Sequence, residues 1–202
     1  MSAALAGFLA AGFLAGSIPT AYLFARALAG TDIRKHGSGN VGATNAFRVL
    51  GRGPGLAVFV IDLAKGLLPV LLYRHFHPGA AGHPEAWVGF AAVLGHVFTP
   101  FLGFRGGKGM ATGAGALLGS VPLIFVLSLP VWGVIFALTR TVSLASLTSL
   151  GAVVVLAFFF HLDASTLACF TALCALITWT HRENITRLRA GSENRFINKT
   201  KS

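Results

Sequence analysis

Long apolar runs, separated by short loops that carry most of the charge, constrain this chain more than any other feature. The runs cover about residues 3–28, 56–73, 87–102, 144–160 and 167–180. A helix that crosses a bilayer needs roughly 20 mostly apolar residues. Charged residues make up 11% of the chain, against about 25% in a typical soluble domain. We therefore predict an all-α, polytopic integral membrane helix bundle, formed by residues 1–202 as one domain.

A further apolar stretch, residues 110–138, is too long for one untilted span and short for two. The sequence Gly-Ser-Val-Pro at 119–122 favours a tight turn between two short helices. Cytoplasmic loops collect Lys and Arg, and two crossings leave nearly all of these residues on one face. A single crossing, the alternative, would move Arg140 and the basic tail with Lys199 and Lys201 to the opposite face. We therefore predict seven transmembrane helices, with the N-terminus outside and the C-terminus cytoplasmic.

Under this topology four polar segments share the cytoplasmic face and can converge. The chain carries 16 Lys and Arg against 6 Asp and Glu. These basic residues lie between apolar runs rather than along a soluble face, which favours anionic lipid or an anionic substrate over nucleic acid as the partner. The four segments are residues 31–52, 103–112, 140–146 and 181–196.

The first segment contains Gly37–Gly42, which fits the dinucleotide pattern G-x-G-x-x-G. That fold needs a buried strand before the glycines and an acidic residue about 20 positions later. No apolar strand precedes Gly37, and Asp62 falls inside an apolar run, so a dinucleotide site is disfavoured. A backbone anion site and an ordinary solvated loop both remain open. The side chains that could bind an anion here are Ser38, Asn40, Thr44, Asn45 and Arg48.

The second segment contains Gly106, Gly107, Lys108 and Gly109. It fails the nucleoside-triphosphate pattern G-x-x-x-x-G-K-[ST], because Leu102 occupies the first glycine position and a glycine follows the lysine. The glycines open the backbone, Lys108 supplies a charge, and a helix is predicted to begin just afterwards. Helix N-termini attract phosphate, so we predict that this loop binds an anion. A positive-inside membrane anchor is the alternative.

The remaining polar residues are less specific. His96 and His181 fit ends of membrane helices, Asn184 follows the last span, and Ser143 fits a helix N-cap. Asp62 and Lys65, three residues apart within a span, are expected to pair inside the bundle, either as a structural tie or in support of a site. The sequence has no G-x-S-x-G, H-x-x-x-x-D or H-E-x-x-H motif and no cysteine cluster, so we expect neither a metal nor a cofactor.

Taken together, the motifs resemble those of the bacterial acyl-phosphate:glycerol-3-phosphate acyltransferases, the PlsY family. The matching sequences are GSIPTAYLFAR (16–26), DIRKHGSGNVGATNAFRVLG (32–51), DLAKG (62–66), LGHVFTPFLGFRGGKGMAT (94–112), VSLAS (142–146) and HRENITRL (181–188). The resemblance implies a multi-pass enzyme of the bacterial inner membrane, with its active site facing the cytoplasm. It implies transfer of a fatty acyl group from acyl phosphate to the 1-hydroxyl of glycerol 3-phosphate, which gives lysophosphatidic acid and phosphate.

The resemblance also implies partners and residue roles. Its partners are the two substrates, membrane lipids and a soluble acyl-carrier-protein:phosphate transacylase that supplies the acyl phosphate; nucleic acid and cofactors are absent. His181 could deprotonate the attacking hydroxyl, or a phosphate oxygen of the donor could take that proton. The implied catalytic residues are His181, Asn184, Lys108, Ser143 and Arg48. The implied substrate-binding residues are Ser38, Asn40, Thr44, Asn45, Arg48, His96, Gly106, Gly107, Lys108 and Gly109.

Two other functions share part of this pattern. A transporter for an organic phosphate would have similar spans and cationic loops, but transporters place their sites near the midplane, between repeated halves. The sequence shows no clear internal repeat, and its polar motifs lie on one predicted face. A lipid-binding scaffold would leave the separate polar signatures without a purpose.

Overall fold

The computed structural model describes residues 2–80 and 82–196. Lys199 and Lys201, which enter the predicted charge asymmetry, lie outside these ranges. The regular elements of the described chain are helical, with short 3-10 turns at Ile33–Lys35 and Pro100–Leu102. The α-helices are α1 (Ala3–Ser17), α2 (Thr20–Ala29), α3 (Ala43–Leu50), α4 (Arg52–Phe76), α5 (Glu85–Val97), α6 (Met110–Ser120), α7 (Pro122–Thr139), α8 (Val142–Phe159), α9 (Ala164–Thr180) and α10 (Arg182–Arg189).

Five segments of the described chain are long and apolar enough to cross a membrane. A sixth is counted if α9 and α10, which meet at an angle of 59°, form one span. Residues 110–138 divide into α6 and α7 at Val121, where Pro122 opens α7 at a position that suits its missing N–H. The predicted turn is thus observed. Because α6 has only 11 residues, the seven-span count and the orientation of the termini stay predictions.

The first apolar run, which we predicted to be continuous, is broken at Ile18 and Pro19 between α1 and α2. The Lys65 ammonium of α4 donates to the carbonyl oxygen of Ile18 at 2.7 Å and to Thr20 Oγ1 at 3.1 Å. It also lies 2.6 Å from Asp62 Oδ1. The Asp62–Lys65 pair thus ties α4 to the break between α1 and α2, and Lys65 satisfies the backbone carbonyl that the break leaves open.

Glycines allow the central helices to approach closely. Gly66 of α4 faces the Thr112 carbonyl of α6, and Gly115 of α6 faces the Leu63 carbonyl of α4; a Cβ at either glycine would overlap that oxygen. The α1–α5 pair uses the same reciprocal arrangement. Small residues at such contacts are typical of membrane bundles. By contrast, α7 is largely exposed and packs mainly against α8.

Candidate active site

A cavity of about 510 Å³ opens where the four predicted polar segments meet. Its polar end is formed by the loop before α3, the loop before α6, the start of α8, and the region from the end of α9 to Phe196. An apolar arm continues from this end between α6, α7, α8 and α9. The charged and polar side chains that line the whole cavity are Ser38, Asn40, Thr44, Asn45, Arg48, Asp62, His96, Lys108, Ser128, Ser143, Ser146, Ser149, His181, Asn184, Arg187, Glu193 and Asn194.

Asn45 organises the first loop from inside. Its Oδ1 accepts the Ser38 N–H at 2.8 Å, and its Nδ2 donates to three backbone carbonyls at 3.0–3.3 Å. Because the buried amide is used in this way, Asn45 shapes the loop around it. Gly37 has φ of +61°, and a Cβ there would overlap Asn45 Oδ1, so this position requires glycine. The loop thereby presents Ser38 and Asn40 to the cavity, and Thr44 and Arg48 reach it from α3.

In the second loop, where we predicted an anion site from an opened backbone, Lys108 and the start of a helix, two glycine N–H groups are already bonded. Gly106 N–H donates to the Val97 carbonyl at 2.9 Å, and Gly107 N–H donates to the His96 carbonyl at 3.1 Å. Lys108 and Gly109 line the cavity, whereas Gly106 and Gly107 lie behind it, against the end of α5. The glycines permit this close contact, and α6 begins at Met110 as predicted. The loop therefore presents Lys108 rather than a ring of glycine donors.

His96 lies beneath this loop. Its Nδ1 is 3.3 Å from Thr112 Oγ1 and 3.9 Å from Asp62 Oδ1. The side chain is buried but reaches the cavity wall. A link from the Asp62–Lys65 tie to the glycine-rich loop thus runs through this histidine.

Lys108 is the central cation of the polar end. Its ammonium donates to Asn184 Oδ1, and its backbone carbonyl accepts the Thr180 hydroxyl at 3.0 Å. Burial lowers the pKa of Lys108 to about 8, and the negative charge of Glu193 opposes this shift. The pKa of Lys108 therefore lies below that of an exposed lysine.

His181 follows the last residue of α9 and faces the same cavity. Its Nδ1 is 2.7 Å from the carbonyl oxygen of Ile177. A carbonyl can only accept a hydrogen bond, so Nδ1 carries the hydrogen, and Nε2 is the ring nitrogen that can accept a proton.

Ser143 has a different local role from the predicted one. Helix α8 begins at Val142 with Thr141 at its N-cap, so Ser143 lies in the first turn. Its hydroxyl donates to Glu193 Oε1 at 2.9 Å. Ser143, Asn184 and Glu193 form one hydrogen-bonded group, since Asn184 Nδ2 donates to the same oxygen at 2.6 Å.

Glu193 and Arg187 were missed as site residues by the sequence reasoning. Arg187 Nε donates to Glu193 Oε2 at 2.7 Å. Burial would raise the pKa of Glu193, but hydrogen bonds from Asn184, Arg187 and Ser143 outweigh it and hold that pKa below its usual value. One sequence feature could have identified Glu193 as a site residue. The chain has only 6 Asp and Glu residues, and Glu193 is one that falls within a predicted polar segment.

The apolar arm has the dimensions of a lipid chain. Ser143 and Val153, which both line the cavity, are ten residues apart in α8, about 15 Å at ~1.5 Å per residue. One leaflet of a hydrocarbon core is also about 15 Å, half of ~30 Å. Facing side chains of α7 recur with helical spacing, so one face lines the arm. They are Phe125, Ser128, Leu129, Trp132 and Phe136.

The arrangement suits a ligand with an anionic head and an alkyl chain. Arg48, Lys108 and Arg187 supply positive charge at one end, and the apolar arm accepts a hydrocarbon at the other. Within residues 2–80 and 82–196, no group of three or more His, Cys, Asp and Glu could hold a metal ion.

Comparison with known proteins extends this description. The sequence model of a family described as glycerol-3-phosphate acyltransferase matches residues 6–191. A glycerol-3-phosphate acyltransferase of Geotalea daltonii is 45% identical over 187 residues, with 91% of this chain and 93% of the relative covered. One of Geobacter metallireducens is 46% identical over 191 residues, with 93% and 95% covered.

Solved structures show the same fold. The crystal structure of PlsY (YgiH), an integral membrane glycerol 3-phosphate acyltransferase, in its glycerol 3-phosphate form aligns with a TM-score of 0.91 and 38% identity, covering 96% of both chains. The lysophosphatidic acid form aligns with a TM-score of 0.86 and 36% identity over 96% of both chains. The likeness thus extends over nearly the whole chain in sequence and in fold.

Proposed function

Because the chain belongs to the glycerol-3-phosphate acyltransferase family, we propose that it transfers a fatty acyl group from acyl phosphate to the 1-hydroxyl of glycerol 3-phosphate. The products are lysophosphatidic acid and inorganic phosphate. The family membership confirms the resemblance that the motifs indicated. The observation that carries the proposal is a polar end with three cations joined to an apolar arm about 15 Å long. Similar structures in glycerol 3-phosphate and lysophosphatidic acid forms support it.

The proposed reaction needs no enzyme nucleophile. An acyl phosphate is a mixed anhydride with a good leaving group, so the acceptor hydroxyl can attack its carbonyl carbon directly. The new ester C–O bond forms as the acyl C–O bond to phosphate breaks, and phosphate leaves with that electron pair. The enzyme must hold two mutually repelling anions together and stabilise the developing charge.

The cations and hydroxyls of the polar end are suited to these tasks. We assign Ser38, Thr44 and Arg48 mainly to substrate phosphate, with Asn45 shaping their loop. Lys108 is assigned to glycerol 3-phosphate, with the glycines holding its loop against α5. Ser143 and Asn184 complete the polar surface between the two loops.

The hydroxyl proton has two candidate acceptors. Nε2 of His181 can take it, because Nδ1 already carries a hydrogen that is bonded to Ile177. Alternatively, a phosphate oxygen of the donor takes the proton, and His181 only positions the acceptor. Either route balances the charge that develops on the attacking oxygen.

The chain is a multi-pass membrane protein, as its apolar helices and its integral membrane neighbour show. We propose a bacterial inner-membrane location, seven crossings and a cytoplasmic active site. The concentration of Arg48, Lys108 and Arg187 at one end supports this orientation. A soluble acyl-carrier-protein:phosphate transacylase would supply the acyl phosphate to this face. The lysophosphatidic acid would pass into the surrounding membrane lipids.

The function is tested with purified protein, palmitoyl phosphate and glycerol 3-phosphate. We expect released phosphate and lysophosphatidic acid, quantified by mass spectrometry, and no product when palmitoyl-CoA replaces the donor. Lys108→Ala should lose nearly all activity, whereas Lys35→Ala, which removes an exposed lysine, should keep it. If palmitoyl-CoA gives product and palmitoyl phosphate does not, acyl phosphate is refuted as the donor. If neither donor gives product, acyl transfer itself is refuted.

A further inference from the structure

The segment that follows α10 returns to the polar end and contributes a carboxylate to it. Phe196 N–H donates to the Arg140 carbonyl at 2.6 Å. The Phe196 ring centroid lies 6.3 Å from that of Phe47 in α3 and 6.1 Å from that of Phe136 in α7. These contacts hold the segment across the cavity, and the Glu193 side chain is 8% exposed there.

The carboxylate of Glu193 fixes the direction of the Asn184 amide. An amide side chain has one accepting oxygen and one donating nitrogen. Because Nδ2 of Asn184 donates to Glu193 at 2.6 Å, Oδ1 faces the Lys108 ammonium and accepts from it. A reversed amide would place oxygen against carboxylate and N–H against ammonium, and both contacts would repel.

The same carboxylate fixes Ser143. The hydroxyl has one hydrogen, which is donated to Glu193 Oε1 at 2.9 Å. The lone pairs of Ser143 Oγ are therefore the part that can meet other groups in the cavity. Arg187 anchors the second carboxylate oxygen at 2.7 Å, so Glu193 itself is held on both sides.

We propose that Glu193 is a positioning residue of this site, which aligns Ser143 and Asn184 and, through Asn184, the ammonium of Lys108. It does not touch the reacting atoms. This inference rests on the proposed function only in that acyl transfer is one of its readouts.

Charge gives the role a second, measurable consequence. Burial lowers the pKa of Lys108 to about 8, and the charge of Glu193 raises it. Without this carboxylate, Lys108 should lose its proton at a lower pH. The other titratable or charged groups that act on Lys108 come from α3, α10 and the end of α9; they are Arg48, Arg187, Glu183 and His181.

The test compares wild type with Glu193→Gln in the full-length protein. We expect kcat to fall tenfold or more, on the order of the loss that a small misplacement causes. The alkaline limb of the rate profile should shift down by about half a unit or more. The melting temperature reports whether the fold is intact. A folded Glu193→Gln protein with wild-type kcat and profile would overturn the inference.

Two further variants separate position from charge. Glu193→Asp keeps the charge but withdraws it by one methylene, so kcat should fall while the alkaline limb stays in place. If Glu193→Gln does not fold, the test relies on Glu193→Asp, and a wild-type kcat in Glu193→Asp would overturn the inference. Glu183→Gln is the matched control, because its side chain is 75% exposed on α10; it should keep wild-type kcat and move the alkaline limb less than Glu193→Gln does, since Glu183 also acts on Lys108. If Glu193→Gln and Glu183→Gln have equal effects, Glu193 acts only through long-range charge, and its positioning role is overturned.

A readout without catalysis separates this inference from the proposed function. The titration of Lys108 can be followed by NMR of 13C-methylated lysines, with Lys108→Arg for assignment. A Lys108 midpoint that falls further in Glu193→Gln than in Glu183→Gln supports the inference even if wild type transfers no acyl group, a result that would refute only the function. An unchanged midpoint would overturn the inference whatever the activity.

Discussion

The Nδ1 of His181 lies 2.7 Å from the Ile177 carbonyl oxygen, one helical turn earlier in α9. This bond fixes the tautomer of the neutral ring, so Nε2 is the nitrogen of this cavity-lining residue that can accept a proton. Whether His181 or the donor phosphate accepts the hydroxyl proton can therefore be tested by replacing His181.

Replacing His181 with Gln keeps a polar side chain but removes the basic nitrogen. If the histidine takes the proton, kcat should fall by roughly 10²–10⁴-fold. The acid limb of the rate profile should disappear, because that limb reports protonation of the base. Rates of both proteins are measured across pH with saturating substrates. An unchanged rate and profile would assign the proton to the donor phosphate.

The pKa of Lys108 predicts how the rate falls at alkaline pH. The ammonium must be charged to bind phosphate, and its pKa is about 8 because of burial. On the alkaline side, activity should therefore decline as pH rises through this value. Lys108→Arg keeps the charge at high pH and should move the decline upward, although lower kcat is expected from the changed geometry. An alkaline limb that stays in place in Lys108→Arg would show that another group causes it.

The Asp62–Lys65 tie predicts an asymmetric effect on stability. Asp62→Asn or Lys65→Met leaves the partner's charge buried and should cost roughly 3–5 kcal/mol. The double variant Asp62→Asn with Lys65→Met should melt at a higher temperature than either single variant, since no unpaired charge remains. Thermal unfolding in one detergent measures all three. Additive losses in the double variant would contradict a coupled pair.

The contact between α4 and α6 predicts that glycine is required at position 66. Gly66→Ala should destabilise the protein by about 1–3 kcal/mol, because its Cβ would overlap the Thr112 carbonyl. Gly151→Ala, in the exposed face of α8, is the control, since beyond its own helix backbone and chain neighbours no atom lies within 4 Å of the added Cβ. That change should be neutral or slightly stabilising. Equal melting temperatures for the two variants would argue against the tight contact.

Much of the fold could be predicted because apolar length and charge position are properties of short stretches. Four of the five predicted runs lie, to within a few residues, in helices, and the turn between α6 and α7 is where Gly and Pro placed it. The break between α1 and α2 was missed, although Pro19 marks it. A single proline in an apolar run is ambiguous, and here the deciding partner, Lys65, comes from another helix.

The site was predictable at the level of its segments and less so at the level of individual donors. Gly106 and Gly107 were predicted to bind substrate, but their N–H groups donate to carbonyls at the end of α5. Glu193 was missed because nothing nearby in sequence links it to Ser143, which is 50 residues away. Such roles depend on tertiary contacts, which local patterns do not contain.

The proposed reaction is tested most directly in sealed proteoliposomes that receive palmitoyl phosphate and radiolabelled glycerol 3-phosphate. An acyltransferase should convert the label into lysophosphatidic acid, with one phosphate released for each molecule formed and no free label accumulating in the lumen. Unmodified glycerol 3-phosphate that collects inside the vesicles, with no lysophosphatidic acid, would contradict acyl transfer and identify a transporter.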